Sequence, residues 1–466
     1  MNNKNISRRD FLKIFGAGAV ASAAAFYGCT PESEQDTNQS GQHSGDIPTD
    51  KMTYRTNHST GDRVSLLGFG MMRLPTKKKQ NSEDDEIQQG LVNQLVDYAI
   101  EHGVNYFDTS PRYIMGLSEV ATGKALSRHP RNKYFVATKL SNFDPESQTR
   151  AGSIAMYNNS FKNLQVDVID YYLLHSIGGG GMEVFNKRYI DNGILDFLLE
   201  ERKKGKIRNL GFSYHGDIEV YDYLLSQHDK YKWDFVQIQL NYVDWNLASG
   251  RNTNASYLYG ELDKRGISAV VMEPLLGGRL GNLPHHLFVQ LKSRRPDDSA
   301  ASWAFRFAGT PPNVLTALSG MNVMEHLQDN IRSFSPLVPI SPEEDALLTQ
   351  IAVEYNQYPL VNCNYCNYCM PCPFGINIPG IFLFYNKTVN EGTIPKSSQD
   401  TNYRTARRKF LIEYDRSIPT LRQSNHCIDC KICVSKCPQR IAIPREMQRI
   451  DKFVETLKQG KEFGVK

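Results

Sequence analysis

Cysteine is almost missing from the first 360 residues of this 466-residue chain, where Cys29 stands alone out of nine. Long hydrophobic runs are missing too. The apolar stretch from Ile14 to Tyr27 falls short of the about 20 residues a membrane-crossing helix needs, and no later run reaches that length. Charge of one sign is scarce: 54 Lys and Arg against 50 Asp and Glu leave a net +4, too little to imply a nucleic-acid partner. Arg404, Arg407, Arg408 and Lys409 read instead as a solvated helix face. Between Thr30 and Asp50 there is no Phe, Trp or Tyr and one large aliphatic residue, Ile47, so this segment cannot bury enough surface to fold and reads as a tether. No internal repeat is visible.

The remaining eight cysteines form two runs: Cys363, Cys366, Cys369, Cys372, then Cys427, Cys430, Cys433, Cys437. The second reads C-x2-C-x2-C-x3-C-P, closed by Pro438; the first has only Met370 and Pro371 before Cys372, with Pro373 following. Tetrahedral zinc also uses C-x2-C pairs, and an exported chain can oxidise such cysteines, but neither asks for a proline after the last thiol. From about 355 to 445 the chain resembles bacterial two-cluster ferredoxin domains. That resemblance implies two [4Fe-4S] clusters with crossed ligation, Cys363, Cys366 and Cys369 with Cys437, and Cys427, Cys430 and Cys433 with Cys372.

Between these ends, apolar runs alternate with amphipathic stretches. Strands are expected at Val64 to Phe69, Val104 to Phe107, Tyr134 to Ala137, Val168 to Leu174, Arg208 to Phe212, Phe235 to Leu240, Ile267 to Met272 and Val314 to Leu318, with helices such as Glu86 to His102 and Asp191 to Lys204 between them. Eight strands in this alternation predict an α/β (β/α)8 barrel over 52–340. A doubly wound sheet is the runner-up, and it lacks a G-x-G-x-x-G turn after its first strand.

Barrel enzymes gather their chemistry where strands end. Those ends carry Asp108 and Tyr113 after the second strand, Lys139 after the third and His175 after the fourth. This set, together with Gly116-Leu117-Ser118-Glu119 and Gly123-Lys124-Ala125-Leu126, resembles the aldo/keto reductase family, whose catalytic tetrad maps onto Asp108, Tyr113, Lys139 and His175. The resemblance implies hydride transfer between a carbonyl or alcohol and NAD(P). Tyr113 would donate the proton, Lys139 would lower its pKa, Asp108 would keep the lysine charged, and His175 would bond the carbonyl oxygen. It also implies that Ser213 and Gln237 hold the carboxamide and that Glu273-Pro274-Leu275-Leu276-Gly277-Gly278 approaches the pyrophosphate. Tyr214 stands where the family usually has asparagine, and Met272 where an aromatic often stacks. In the last motif, Ser319, Gly320, His326 and Asn330, the lysine and arginine many relatives place on a 2′-phosphate appear as Gly320 and His326, leaving NAD against NADP open.

At the start, Ser7-Arg8-Arg9-Asp10-Phe11-Leu12-Lys13 before the apolar run looks like a twin-arginine signal, so 1–29 is expected to engage the twin-arginine translocase and send the folded chain to the periplasm or envelope. Gly28-Cys29 resembles a lipoprotein processing site, with cleavage after Ala25 as the alternative; lipidation would give the only membrane attachment. The expected order is signal 1–29, linker 30–51, barrel 52–340, then a helical connection and cluster domain 341–466. No flavin motif joins one-electron clusters to two-electron hydride chemistry, and a redox partner protein is a further expectation. Two functions follow: an exported reductase coupled to or supported by its clusters, or a non-catalytic electron-transfer or redox-sensing module on the same scaffold.

Overall fold

The computed structural model describes residues 41, 46–78, 85–249 and 252–463. The twin-arginine segment and Cys29 lie outside the described residues. Eight parallel strands close into a barrel: β1 Leu67–Gly70, β2 Tyr106–Asp108, β3 Phe135–Leu140, β4 Ile169–Ile177, β5 Ile207–Tyr214, β6 Phe235–Gln239, β7 Ser268–Met272 and β8 Val314–Ser319, with β8 pairing back onto β1. Each falls on one of the apolar runs. The first begins later than expected, because Arg63–Ser65 pairs antiparallel with Tyr54–Thr56 in a separate hairpin.

That hairpin stoppers the end of the barrel away from the strand C-termini. Tyr171 Oη and Asn209 Nδ2 donate to Asp62 Oδ2 at 3.2 and 3.0 Å, and Asn57 Nδ2 donates to Asn209 Oδ1 at 3.2 Å. Buried polar groups of this kind are stable only when partnered, and here they partner one another. Above them Tyr106, Tyr171, Leu173 and Phe235 fill the barrel interior. Around the outside, helices such as Gln89–Glu101 and Ile194–Lys203 lay apolar stripes on the sheet.

One glycine shows how tightly these layers meet. On the helix Leu117–Leu126, a Cβ at Gly123 would lie 2.2 Å from the carbonyl oxygen of Asn163, so only glycine permits the crossing with Arg150–Leu164. Beside it, buried Glu119 accepts from Thr138 Oγ1 at 2.7 Å and Asn163 Nδ2 at 3.1 Å.

The helix Pro342–Tyr355, which the sequence divides from the barrel, buries Leu348, Ile351, Ala352 and Tyr355 in the barrel's own core. Packing of the barrel therefore runs past residue 340. The linker's lone aliphatic, Ile47, also packs against that core. Arg407 is not simply solvated: its guanidinium caps the carbonyls of Leu457 and Lys458 at the end of Ile443–Gln459.

Glu344 fastens the Pro342–Tyr355 helix to the barrel. It completes a capping box with Ser341, and its carboxylate meets Arg306 at 2.7 Å and Arg295 at 2.5 Å. Burial alone would raise its pKa, but the two guanidinium groups outweigh it and hold the carboxyl at about 2. The folded pKa is depressed, so this stabilisation is present above the unfolded value of 4.5 and is lost as pH falls from there towards 2. Glu344→Gln should cost about 3 kcal/mol at neutral pH. Urea unfolding of both proteins, repeated from neutral pH downward, should show the gap closing through that window; a gap independent of pH would remove the ion pair as its cause.

Candidate active site

The C-terminal ends of the strands bring four titratable side chains to one rim. Asp108 ends β2 and Lys139 lies near the end of β3; their side chains are buried and meet at 2.6 Å, with Lys139 Nζ also donating to the Thr109 carbonyl at 2.9 Å. Tyr113 follows β2 on a tight turn in which Ile114 and Met115 take left-handed backbone, φ 49 and 53°. The Lys139 ammonium sits 5.0 Å from the centre of the Tyr113 ring, and the His175 ring meets that ring edge-on at 6.0 Å.

Burial raises the Asp108 carboxyl pKa and lowers that of the Lys139 amine, and their contact opposes both shifts. Burial pushes the Tyr113 phenol well above the usual value, helped by the Asp108 charge. The phenol therefore keeps its proton throughout the working pH range. His175 is held neutral, pushed well below 6.5 by burial and then by the charge of Lys139. Its Nδ1 is engaged by Ser141 Oγ at 2.5 Å and Ser110 Oγ at 3.4 Å, which leaves Nε2 for the cavity.

A cavity of about 190 Å³ opens over this rim. Asp108, Tyr113, His175, Gln237, Glu273, Pro274, Leu275, Gly277, Gly278, Ser319 and Gly320 line it. Lys139 lies beneath, held by Asp108. Ser213 is buried and off the wall, with its Oγ accepting from the Ser176 amide at 2.8 Å. Asn330 also stays behind the wall, donating to Ser319 Oγ at 2.9 Å, and His326 is an exposed residue of the helix Met324–Ser333, away from the lining.

The other side of the cavity comes from the cysteine-rich region, and nothing in the sequence signalled it. Asn364, Cys366, Tyr368 and Pro438 join the lining, as does Arg73 after β1. Arg73 donates to the Gly277 carbonyl at 3.2 Å and to that of Asn364, while Asn364 Nδ2 donates to Glu273 Oε1 at 3.0 Å. Arg279 Nη1 reaches Asn362 Oδ1 at 3.1 Å. Gly277, at φ +74°, sits so close that a Cβ would lie 2.5 Å from Asn364 Cα. The cysteine-rich region thus roofs the barrel mouth.

The eight thiols divide four and four. Cys363, Cys366, Cys369 and Cys437 surround one small apolar cavity; Cys372, Cys427, Cys430 and Cys433 surround another. This is the grouping that crossed ligation requires. Among the described residues no three His, Cys, Asp or Glu side chains converge on a single-ion site. Four thiols spaced about a void suit a cubane, whose corners each take one thiolate, better than zinc. Burial and neighbouring sulfurs push Cys363 up to about 12 and Cys366 up to about 11, so a cluster's positive charge is needed to make them thiolates. Left-handed backbone at Tyr365, Asn367, Asp429 and Lys431 curls the loops around both voids.

The model of the aldo/keto reductase family matches residues 66–352, and that of the 4Fe-4S dicluster domain matches 362–443. L-galactose dehydrogenase of Arabidopsis thaliana is 25% identical over 316 residues, covering 64% of this chain and 92% of the relative. Protein tas of Escherichia coli (strain K12) is 26% identical over 330 residues, covering 60% and 92%. Among solved structures, the holo form of aldo-keto reductase AKR11C1 from Bacillus halodurans shares the fold, with TM-score 0.51 and 22% identity over 64% of this chain and 96% of that one.

Proposed function

This chain belongs to the aldo/keto reductase family and carries a 4Fe-4S dicluster domain, and on that premise we propose that it interconverts a carbonyl and an alcohol with a nicotinamide cofactor held between barrel and roof. The observation that carries the proposal is the meeting of Asp108, Tyr113, Lys139 and His175 at one cavity, with the 2.6 Å ion pair beneath it. A non-catalytic scaffold has no need to keep a buried lysine paired under a tyrosine. The residues fit a dinucleotide. Gln237 offers an amide to a carboxamide, and Gly278 and Gly320 leave the wall without side chains.

Bound nicotinamide would supply or take the hydride. Everything else falls to the chain. Neutral His175 offers Nε2 to the carbonyl oxygen, Tyr113 delivers its proton as negative charge grows there, and Lys139 then faces the phenolate it leaves. Asp108 keeps that lysine charged and in place. Asn364 and Tyr368 form part of the cavity wall. The name of the Arabidopsis relative makes a sugar the first substrate class to try.

Mass spectrometry and elemental analysis of the anaerobically purified chain should find a nicotinamide dinucleotide and iron; zinc without iron, or failure to bind either NADH or NADPH, would remove the reading.

Export by the twin-arginine route is part of the proposal, with attachment through a lipid on Cys29. The support is the sequence alone: Arg8-Arg9 in its seven-residue context, and a ninth cysteine outside the metal set. Replacing both arginines by lysine should leave folded, cluster-loaded protein in the cytoplasm, and Cys29→Ala should permit transport without lipid. Envelope localisation of the double-lysine variant would end the export assignment.

A further inference from the structure

The two four-cysteine sites differ in how they meet solvent. At the inner one Cys363 and Cys437 are 9% and 8% exposed, and Cys366 faces the catalytic cavity. At the outer one Cys430 is exposed. Around it stand the large apolar side chains of Phe374, Leu421, Ile428 and Ile432, exposed by 43, 80, 63 and 47%. Phe374 and Ile428 line the outer thiol cavity itself, and Ile432 adjoins its ligand Cys433. Leu421 is brought alongside because the Asn377 amide donates to the Arg422 carbonyl at 3.0 Å and Arg422 Nε donates to Gly375 O at 3.3 Å. An apolar cluster of this kind centred on a metal ligand costs solubility and is not explained by the fold, whose own core lies beneath it.

Charge frames the patch. Residues 415–446 hold six basic side chains, Arg416, Arg422, Lys431, Lys436, Arg440 and Arg445, against three acids, Asp415, Asp429 and Glu446. Arg440 turns to Asp217 of the barrel at 2.9 Å, but Arg416, Lys431 and Lys436 remain exposed, as does Arg445 beside the cavity residue Pro444.

We propose that this outer face docks an acidic one-electron carrier protein, of the flavodoxin or ferredoxin class. The apolar centre supplies the contact, the basic rim selects the sign of the partner, and the exposed Cys430 would hold a bound cluster near the surface. With a cluster held by Cys372, Cys427, Cys430 and Cys433, the exchange would balance in one step, one electron passing from carrier to cluster or the reverse, with no bond made or broken. The inference rests on the dicluster domain and not on the nicotinamide reading, so it can fail while that reading stands.

The test uses the anaerobic holoprotein, full length, mixed in a stopped-flow instrument with chemically reduced flavodoxin, following cluster absorbance. Electron transfer should slow by about tenfold on raising salt from low to physiological strength, because steering between opposite charges is screened. Lys431→Glu/Lys436→Glu should slow it by about tenfold, with reduction by dithionite unchanged. Because those lysines adjoin ligands, iron content is measured, and Arg416→Glu/Arg445→Glu repeats the reversal away from the ligand loops. Rates indifferent to salt and to both charge reversals would overturn the proposal. So would a homodimer that Ile428→Glu splits, or binding to anionic vesicles that the reversals abolish while carrier exchange stays the same; each would give the face a different occupant.

Discussion

Tyr113→Phe should lower the rate of carbonyl reduction by about 10²- to 10⁴-fold, the range a positioned proton donor supplies, and leave dinucleotide affinity within about twofold. The substitution removes one oxygen and keeps the ring that meets His175 edge-on. The cause is specific to burial. With the phenol pushed well above its ordinary pKa and His175 well below, both hold one protonation state from about pH 6 to pH 9. The wild-type rate should therefore be flat across that range. A variant that turns over like wild type, or a steep wild-type break near pH 6.5, would show that the proton comes from elsewhere. Single-turnover reduction of 4-nitrobenzaldehyde, with nucleotide binding followed by fluorescence, separates the two effects.

Why the tetrad was legible and the roof was not has a physical answer. Strands such as Phe235–Gln239 announce themselves by unbroken apolar runs, because a parallel strand is buried on both faces. Once eight such runs alternate with helices, the residues at the C-terminal end of each strand fall on one rim by the geometry of the closed barrel. Asp108, Lys139 and His175 are placed by that rule alone. Tyr113 needed the turn after β2 as well.

No such rule places Asn364 or Tyr368. They occupy spacers between cysteines, where ligand spacing fixes the thiols and leaves the other positions free. Their approach to Glu273 and Tyr113 depends on how two folded regions dock, which is long-range information. Ser213 and Asn330, assigned to the cofactor by resemblance, lie behind the wall, where Ser213 Oγ accepts from the Ser176 amide and Asn330 donates to Ser319 Oγ. His326 lies on the helix Met324–Ser333 and is exposed. A motif position can fall on the exposed face of its helix while its neighbour Leu327 goes to the core.

That docking makes Cys366, one of the inner four thiols, part of the active site's wall, with a consequence for cysteine variants. Cys366→Ser should reduce iron from about eight per chain to about four, because a cubane that loses one thiolate is rarely retained. It should also cut carbonyl reduction by about tenfold or more and weaken dinucleotide binding. Cys366 lines the catalytic cavity; two residues before it, Asn364 holds Glu273 and receives Arg73, and two residues after it Tyr368 faces Tyr113. Losing the inner cluster frees the whole loop. Cys427→Ser provides the comparison. It removes the same amount of iron from the outer site, where Phe374 and Ile428 face solvent and the roof contacts at Asn362 and Asn364 are on the other side of the domain's ligand set. Its loss of reductase activity should be several-fold smaller. Iron analysis with single-turnover kinetics on both variants decides the matter. Equal loss from the two would mean that either cluster merely keeps the domain folded; full activity without the inner cluster would mean that the roof stands on its protein contacts alone, through Arg73, Arg279 and Asn364.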